Sequence, residues 1–434
     1  MIQLLVLAAL AGLMQAARSF APGSLRSGGT ELAFGFLLLV AYFTGKLVSR
    51  LGFPKLTGYI AAGIVVGPYA LGLVDKPMTL QLKLVGGIAT AILALTAGAE
   101  LNLREVRPLL GTVKRMSVGV VIGSMLILAA ALMAVRPLVP FLAQMSLDHA
   151  LVVSLTLATA LTAKSPAVVM ALIGETRADG VLTKTILTTV IVSDLAVIVL
   201  YGVVSSVATA VIGGGVDLGA AIGGIAWGVL GSMGVGIFIG AVLGQFIIHV
   251  DRGVGLFAVM LCFIVAEVGN AVALDPLVIA LAAGLWLENA SRADARKLLD
   301  GFDAASLPVY LVFFALAGAK LDLVKLARLA VPVLVLVVVR AASFFVGARL
   351  GTRGAGVDPL VRRLAWVGMV PQAGLALALA ELVRRTFPSF GDAAFALVLG
   401  VVATNELTAP VALRLALLRS GEAGKRPGPA TGDH

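Results

Sequence analysis

Apolar runs recur along almost the whole chain, and most are about as long as a bilayer crossing. A membrane-spanning helix needs roughly 20 apolar residues. About fourteen such segments can be read by hydropathy: 2–18, 31–49, 56–73, 83–102, 113–135, 148–173, 181–208, 218–248, 254–271, 275–290, 305–323, 328–350, 361–383 and 392–419. Only 13% of the 434 residues are charged and 60% are hydrophobic, whereas soluble domains carry about 25% charged residues. The +10 net charge therefore does not read as a nucleic-acid surface, because its Lys and Arg are scattered between apolar runs. They gather instead in loops after even-numbered spans, such as Arg104, Arg107, Lys114 and Arg115. That bias assigns those loops and the C-terminus to the cytoplasm. The expected fold class is an all-α polytopic membrane protein of about 13–14 transmembrane helices, with membrane lipids as its surroundings. Span 2–18 is read as a retained helix, since no basic residue precedes its apolar run. Cys262 is the single cysteine and can close no disulfide within the chain. The tail from Ser420, SGEAGKRPGPATGDH, is polar and Pro/Gly-rich, so residues 420–434 are expected to be disordered. No connection is long enough for a soluble regulatory domain.

Two spans carry helix breakers at matching places. In TLATALTAKSPAVVMALIG (155–173), Pro166 cannot continue the preceding turn. Ser165 suits an N-cap and Pro166 the first helical position. One half-helix should end near Thr162 and a second begin at Pro166. In WVGMVPQAGLALALAELV (366–383), Pro371 and Gly374 interrupt the thirteenth span in the same manner. The two spans lie seven apart, and an odd offset inverts the second copy. Spans 2–7 and 9–14 then form two inverted repeats with span 8 between them. Matched interruptions in inverted halves point to a transporter's binding site. The bland alternative is a pair of proline kinks in packing helices.

Charges at bilayer depth narrow the site. Asp194, in VIVSDLAVIVL (190–200), lies near the middle of span 7, beside the first interruption. An ionised group there costs at least ~3 kcal/mol, so by default it is paired or lies on an ion or proton path. A carboxylate that can hold either a proton or a small cation is what exchange requires. Ser193 offers a neutral hydroxyl oxygen to a hard cation, or simply bonds the preceding turn. The candidate ion- and proton-binding set is Asp194, Ser193, Thr162, Lys164 and Ser165, with Asp194 and Ser193 as the metal-ion ligands. Lys164 could be a counter-ion to Asp194, a balance for half-helix carbonyls, a proton donor, or a bystander in a wet cleft. Arg340 (span 12) and Glu406 (span 14) are candidate charge-compensating residues. Lys320, Glu100 and Glu267 rank below these. The three histidines, His149, His249 and His434, share no metal-ligand spacing, and no glycine-rich nucleotide loop follows a strand. No enzyme, cofactor or nucleic-acid partner is expected.

The stretch GFPKLTGYIAAGIVVGPYALGLV (52–74), with LTAGAELNL (95–103), AAGLWLEN (282–289), VYLVFFALAGAKLDL (309–323) and the spacing from the interruption to Asp194, resembles the monovalent cation/proton antiporter superfamily over about residues 31–419. The resemblance implies a sodium/proton antiporter fold with two crossing discontinuous helices. It implies homodimers, alternating access and a part in pH homeostasis. It divides the chain into an N-terminal extra helix and linker (1–30), core helices around 113–208 and 328–419, and dimerisation helices around 31–102 and 254–323. The family's ion-binding carboxylate falls on Asp194 and its basic residue on Arg340. Two positions depart from the family: Ser193, where Asp or Asn is common, and Lys164, where a neutral residue is usual.

Exchange of Na⁺ (or Li⁺) for H⁺ is the leading expectation. It should be electroneutral, because one acidic carrier is visible; loss of a second proton from Lys164 would change that. The rivals are K⁺/H⁺ exchange, a non-transporting relic with Lys164 in the cation's place, and a Na⁺-coupled organic-anion symporter. Richness in Ala, Gly, Val and Arg without targeting signals suggests a bacterial inner membrane.

Overall fold

A computed structural model describes residues 2–20, 30–213, 223, 227–250, 253–272, 274–305, 307–321, 329–353, 356–372 and 374–425. The linker at 21–29, the start of the span expected over 218–248, and residues 426–434 lie outside them. Among the described residues the ordered elements are all helical.

The principal helices are α1 (Ile2–Phe20), α2 (Thr30–Arg50), α3 (Lys55–Val66), α4 (Lys83–Glu100), α5 (Arg107–Ala134), α6 (Leu147–Thr162), α7 (Pro166–Thr176) and α8 (Val181–Gly213). They continue with α9 (Trp227–His249), α10 (Val254–Ala271), α11 (Pro276–Asn289), α12 (Leu307–Ala319), α13 (Ala330–Gly351), α14 (Gly374–Thr386) and α15 (Gly391–Arg419). Each expected apolar segment holds at least part of one of these helices, and the segment 148–173 holds two, α6 and α7. Among the described residues, eight stretches are long and apolar enough to cross a membrane by length and composition. Two bent pairs and several shorter apolar helices make up the rest.

The third segment ends earlier than its apolar run suggests. Helix α3 stops at Val66, and Gly67 is extended at φ −71°, ψ 175°. The cause is Pro68, whose ring crowds the preceding residue out of the helical region. The expectation of a span to residue 73 is corrected accordingly.

The chain divides into two compact units. Unit 1 comprises residues 1–100 and 229–322; unit 2 comprises 101–228 and 323–434. Each unit thus draws one block from each half of the chain, which fits an internally duplicated sequence. Unit 1 is packed through small residues. Gly63 of α3 lies so close to Ala315 of α12 that a side chain would run into the Ala315 carbonyl. Gly318 of α12 lies as close to Ile60 of α3. Such close approach is how helices gain contact in lipid, where apolar surfaces have little reason to prefer one another over acyl chains.

Unit 2 contains both interruptions. Its apolar core runs from Leu128 and Leu132 of α5 through Leu157 of α6 and Val197 of α8 to Leu336 of α13 and Val398 of α15. The tail is not free where it begins. Glu422 is buried, and its carboxylate accepts the Leu182 and Thr183 N–H groups, each at 2.8 Å, at the start of α8. The Thr183 hydroxyl donates to the same carboxylate at 2.7 Å. Open N–H groups and the positive end of a helix both favour such a partner. Residues 420–425 are therefore docked rather than disordered as expected.

Candidate functional site

The first interruption leaves three consecutive residues without helix. After α6 ends at Thr162, Ala163 is extended at φ −58°, ψ 146°, and Ser165 at φ −129°, ψ 97°. The Ser165 hydroxyl then accepts the Val168 N–H at 3.2 Å and starts α7 at Pro166. Residues 160–166 are all buried. The break exposes carbonyls that no turn of helix can satisfy, at bilayer depth where water does not serve them.

Side chains answer that need. Arg340 of α13, fully buried, donates from Nε to the Leu161 carbonyl at 2.6 Å and from Nη2 to the Ala163 carbonyl at 2.9 Å. Its Nη1 donates to the Val370 carbonyl at 2.6 Å, at the second interruption. One guanidinium thus ties the two breaks together. The fork of Arg, always charged and with several donors, suits a site with three acceptors. Lys164 Nζ donates to the Thr162 carbonyl at 3.0 Å. The C-terminal end of α6 is negative by its dipole, so two cations there are favourable. Both also lie over the Phe344 ring, Arg340 at 4.5 Å and Lys164 at 5.5 Å from its centroid.

The acid enters from α8. The Lys164 backbone N–H donates to Asp194 Oδ1 at 3.0 Å, and Asp194 is 3% exposed. The charges of Lys164 and Arg340 both act on this carboxylate. Interruption and acid, thirty residues apart in sequence, are joined by a hydrogen bond.

The second interruption is built differently. The short helix Pro359–Leu364 passes into a 3₁₀ turn, Ala365–Met369, before α14 resumes at Gly374 with a bend of 42°. Pro371 is buried in the gap. Gly374 has open space where a side chain would stand, so nothing there demands glycine. Gln372, buried, donates from Nε2 to the Leu161 carbonyl at 3.1 Å, and its side-chain Oε1 accepts from Asn405 Nδ2 at 3.0 Å. Neither Gln372 nor Asn405 was singled out by sequence. The signal was available: each is an uncharged polar residue inside an apolar run, next to Pro371 and Glu406 respectively.

The remaining candidates are placed as follows. The Thr162 hydroxyl donates to Ala158 O at 2.8 Å, within its own helix. The Ser193 hydroxyl donates to the Thr189 carbonyl and at 3.4 Å to that of Val190, which is the local bonding weighed above. Glu406 is buried on α15 beside Asn405. Glu267 and Lys320 are exposed and Glu100 is half-buried. Among the described residues no group of three or more His, Cys, Asp or Glu side chains is arranged to hold a metal ion.

Comparison with known proteins bears on this arrangement. The family model described as "Sodium/hydrogen exchanger, transmembrane" matches residues 35–418. No curated protein matches the chain. Among solved structures, the sodium proton antiporter MjNhaP1 of Methanocaldococcus jannaschii at pH 8 is similar with a TM-score of 0.67 at 16% identity, covering 90% of this chain and 98% of that one. A second structure of the same antiporter, from electron microscopy, gives 0.70 at 17% identity, covering 89% and 95%. At such identities the likeness is one of fold.

Proposed function

The chain belongs to the sodium/hydrogen exchanger family, and on that premise we propose that it exchanges Na⁺ for H⁺ by alternating access, with Asp194 as the shared carrier. The observation that carries this reading is the hydrogen bond from Lys164 N–H to Asp194 Oδ1. It sets the acid of α8 against the interruption of α6 and α7, where carbonyl groups are free of helix.

The chemistry follows from charge. With a proton on Asp194 the carboxyl is neutral. When Na⁺ arrives, the proton leaves and the carboxylate holds the cation, so the site's charge is unchanged. Because Asp194 is the acid at the break, the cation's other ligands are carbonyl and hydroxyl oxygens and water, as a hard ion prefers. Thr162, Ser165 and Ser193 supply oxygens of that kind nearby in sequence. Arg340 and Lys164 keep their charges throughout, each bonded to carbonyls at the break after α6. One proton then moves for one cation, and exchange is electroneutral. The Lys164 ammonium, engaged with Thr162 O, supports a capping role over permanent occupation of the cation's place.

We assign the carrier function to unit 2, which contains both interruptions, and a scaffold and homodimer-forming function to unit 1, whose helices are locked by glycine contacts. The setting is a bacterial inner membrane with the C-terminus cytoplasmic.

The test is reconstitution with an internal pH dye and separate additions of Na⁺, Li⁺ and K⁺. Wild type should release protons on adding Na⁺, and Asp194→Asn should not. Full exchange by Asp194→Asn would remove the carrier assignment. An imposed membrane potential should leave the initial rate unchanged; a clear dependence would mean that Lys164, or another group, also gives up a proton.

A further inference from the structure

Arginines converge in unit 2 at the ends of helices that flank the second interruption. Arg349 stands in the last turn of α13, Arg363 on the short helix Pro359–Leu364, and Arg419 in the last turn of α15. All three line one cavity of about 700 Å³, together with Phe345, Trp366 and Leu415. That volume falls within the ~300–1,000 Å³ of sites that hold small organic ligands. A second cavity of about 460 Å³ shares Phe345 and Arg349 and adds Arg353 and Arg362. The walls are ordered by the aromatic groups. Phe345 meets Trp366 edge to face at 5.6 Å, and the Arg349 guanidinium lies 5.1 Å over the Phe345 ring.

Basic residues at the ends of membrane helices are expected from topology alone. What topology does not require is that three of them, from three elements, open onto one slot with an apolar and aromatic wall. Guanidinium groups match phosphate by paired N–H donors, and the apolar wall matches acyl chain or glycerol. Free phosphate would use only the first half of this lining. Basic pockets between transmembrane helices are suited to anionic headgroups.

We propose that this slot binds an anionic phospholipid, its phosphate held among Arg349, Arg363 and Arg419 and its chains lying along Phe345, Trp366 and Leu415. The bound lipid would clamp α13, which carries Arg340, to α15, which carries Asn405. The proposal rests on the membrane setting and is independent of which cation is exchanged.

Unfolding temperature of the full chain in neutral detergent tests it, with phosphatidylglycerol, phosphatidylcholine or inorganic phosphate added. Phosphatidylglycerol should raise the midpoint of wild type by several degrees more than phosphatidylcholine does. The shift should vanish in Arg349→Gln/Arg363→Gln/Arg419→Gln and persist in Arg50→Gln/Arg104→Gln/Arg107→Gln, which removes equal charge from exposed positions elsewhere. Should the first variant not fold, Leu415→Asp, at a lining position 45% exposed, should abolish the shift instead. Equal shifts from the two lipids, a full shift from inorganic phosphate alone, or equal loss in the Arg50/Arg104/Arg107 variant would each overturn the proposal.

Discussion

The two units of the chain are held by different means. In unit 1 the buried polar side chains described are Gln3, Thr79 and Ser232, and helices meet through glycines such as Gly63 and Gly318. In unit 2 lie all the buried charged side chains described: Lys164, Asp194, Arg340, Glu406 and Glu422. The difference has a physical origin. Uninterrupted helices satisfy their own backbone and need only shape to pack in lipid. Interrupted helices expose carbonyls, which must be met by donors from elsewhere. Those donors are most effective when charged, and buried cations in turn call for carboxylates. Ion chemistry thus becomes available in unit 2, whose breaks expose buried carbonyls, whereas the 63° bend between Ala295–Phe302 and Leu307–Ala319 in unit 1 brings no buried charge among the described residues.

That contrast can be broken or sharpened by substitution, beginning with the largest expected effect. Arg340→Ala leaves the Ala163 and Val370 carbonyls without the donor they share, and leaves the Leu161 carbonyl with the Gln372 amide alone. At ~1–3 kcal/mol for each buried unsatisfied group, the loss should exceed that of any other single change here. It would be read as a collapse of the folded fraction on size-exclusion chromatography in detergent. Arg340→Lys, which keeps the charge but not the fork, should recover only part. An alanine variant that unfolds like wild type would break the account of unit 2.

Gly63→Leu probes unit 1 and should cost about 3 kcal/mol by overpacking against the Ala315 backbone. Thermal unfolding measures it, and molecules that remain folded should still exchange. If they fold normally but lose exchange, the division of labour between the units is wrong. Asn405→Leu removes the donor to Gln372 Oε1, at a cost of about 1–2 kcal/mol, also read from the unfolding midpoint. Glu422→Ala should cost about 1 kcal/mol, the usual scale for a lost helix cap. Its signature is local: faster hydrogen exchange at the Leu182 and Thr183 amides, with little change at the α6 amides. Glu381→Gln removes exposed contacts to Arg384 and Arg385 and should shift stability by less than ~1 kcal/mol. A larger effect would show that this exposed pair contributes more to unit 2 than exposed ion pairs usually do.

Much of this was legible in the sequence because its rules are local. Hydropathy marks a helix wherever an apolar run is long enough, and Pro166 behind Ser165 marks where a helix must restart. Reading by hydropathy alone failed at Gly67–Pro68, where the helix ends although the apolar run continues. It failed again at Glu422, whose partner N–H groups lie some 240 residues upstream. Gln372 and Asn405 escaped notice because an uncharged polar residue carries too small a burial penalty to stand out beside Asp194 or Arg340.

The sequence by itself determined that the chain is a bundle of apolar helices, that two of them are broken, and which acid lies beside a break. Each follows from properties a residue carries with it: hydropathy, the missing N–H of proline, the cost of a charge in lipid. Only the tertiary structure decided which groups answer the breaks. Arg340 bonds to carbonyls 177, 179 and 30 residues distant, and Lys164 turns its ammonium to Thr162 while its amide meets Asp194. Hydrogen bonds require groups far apart in the chain to be placed to within a few tenths of an ångström, and no local pattern encodes that placement.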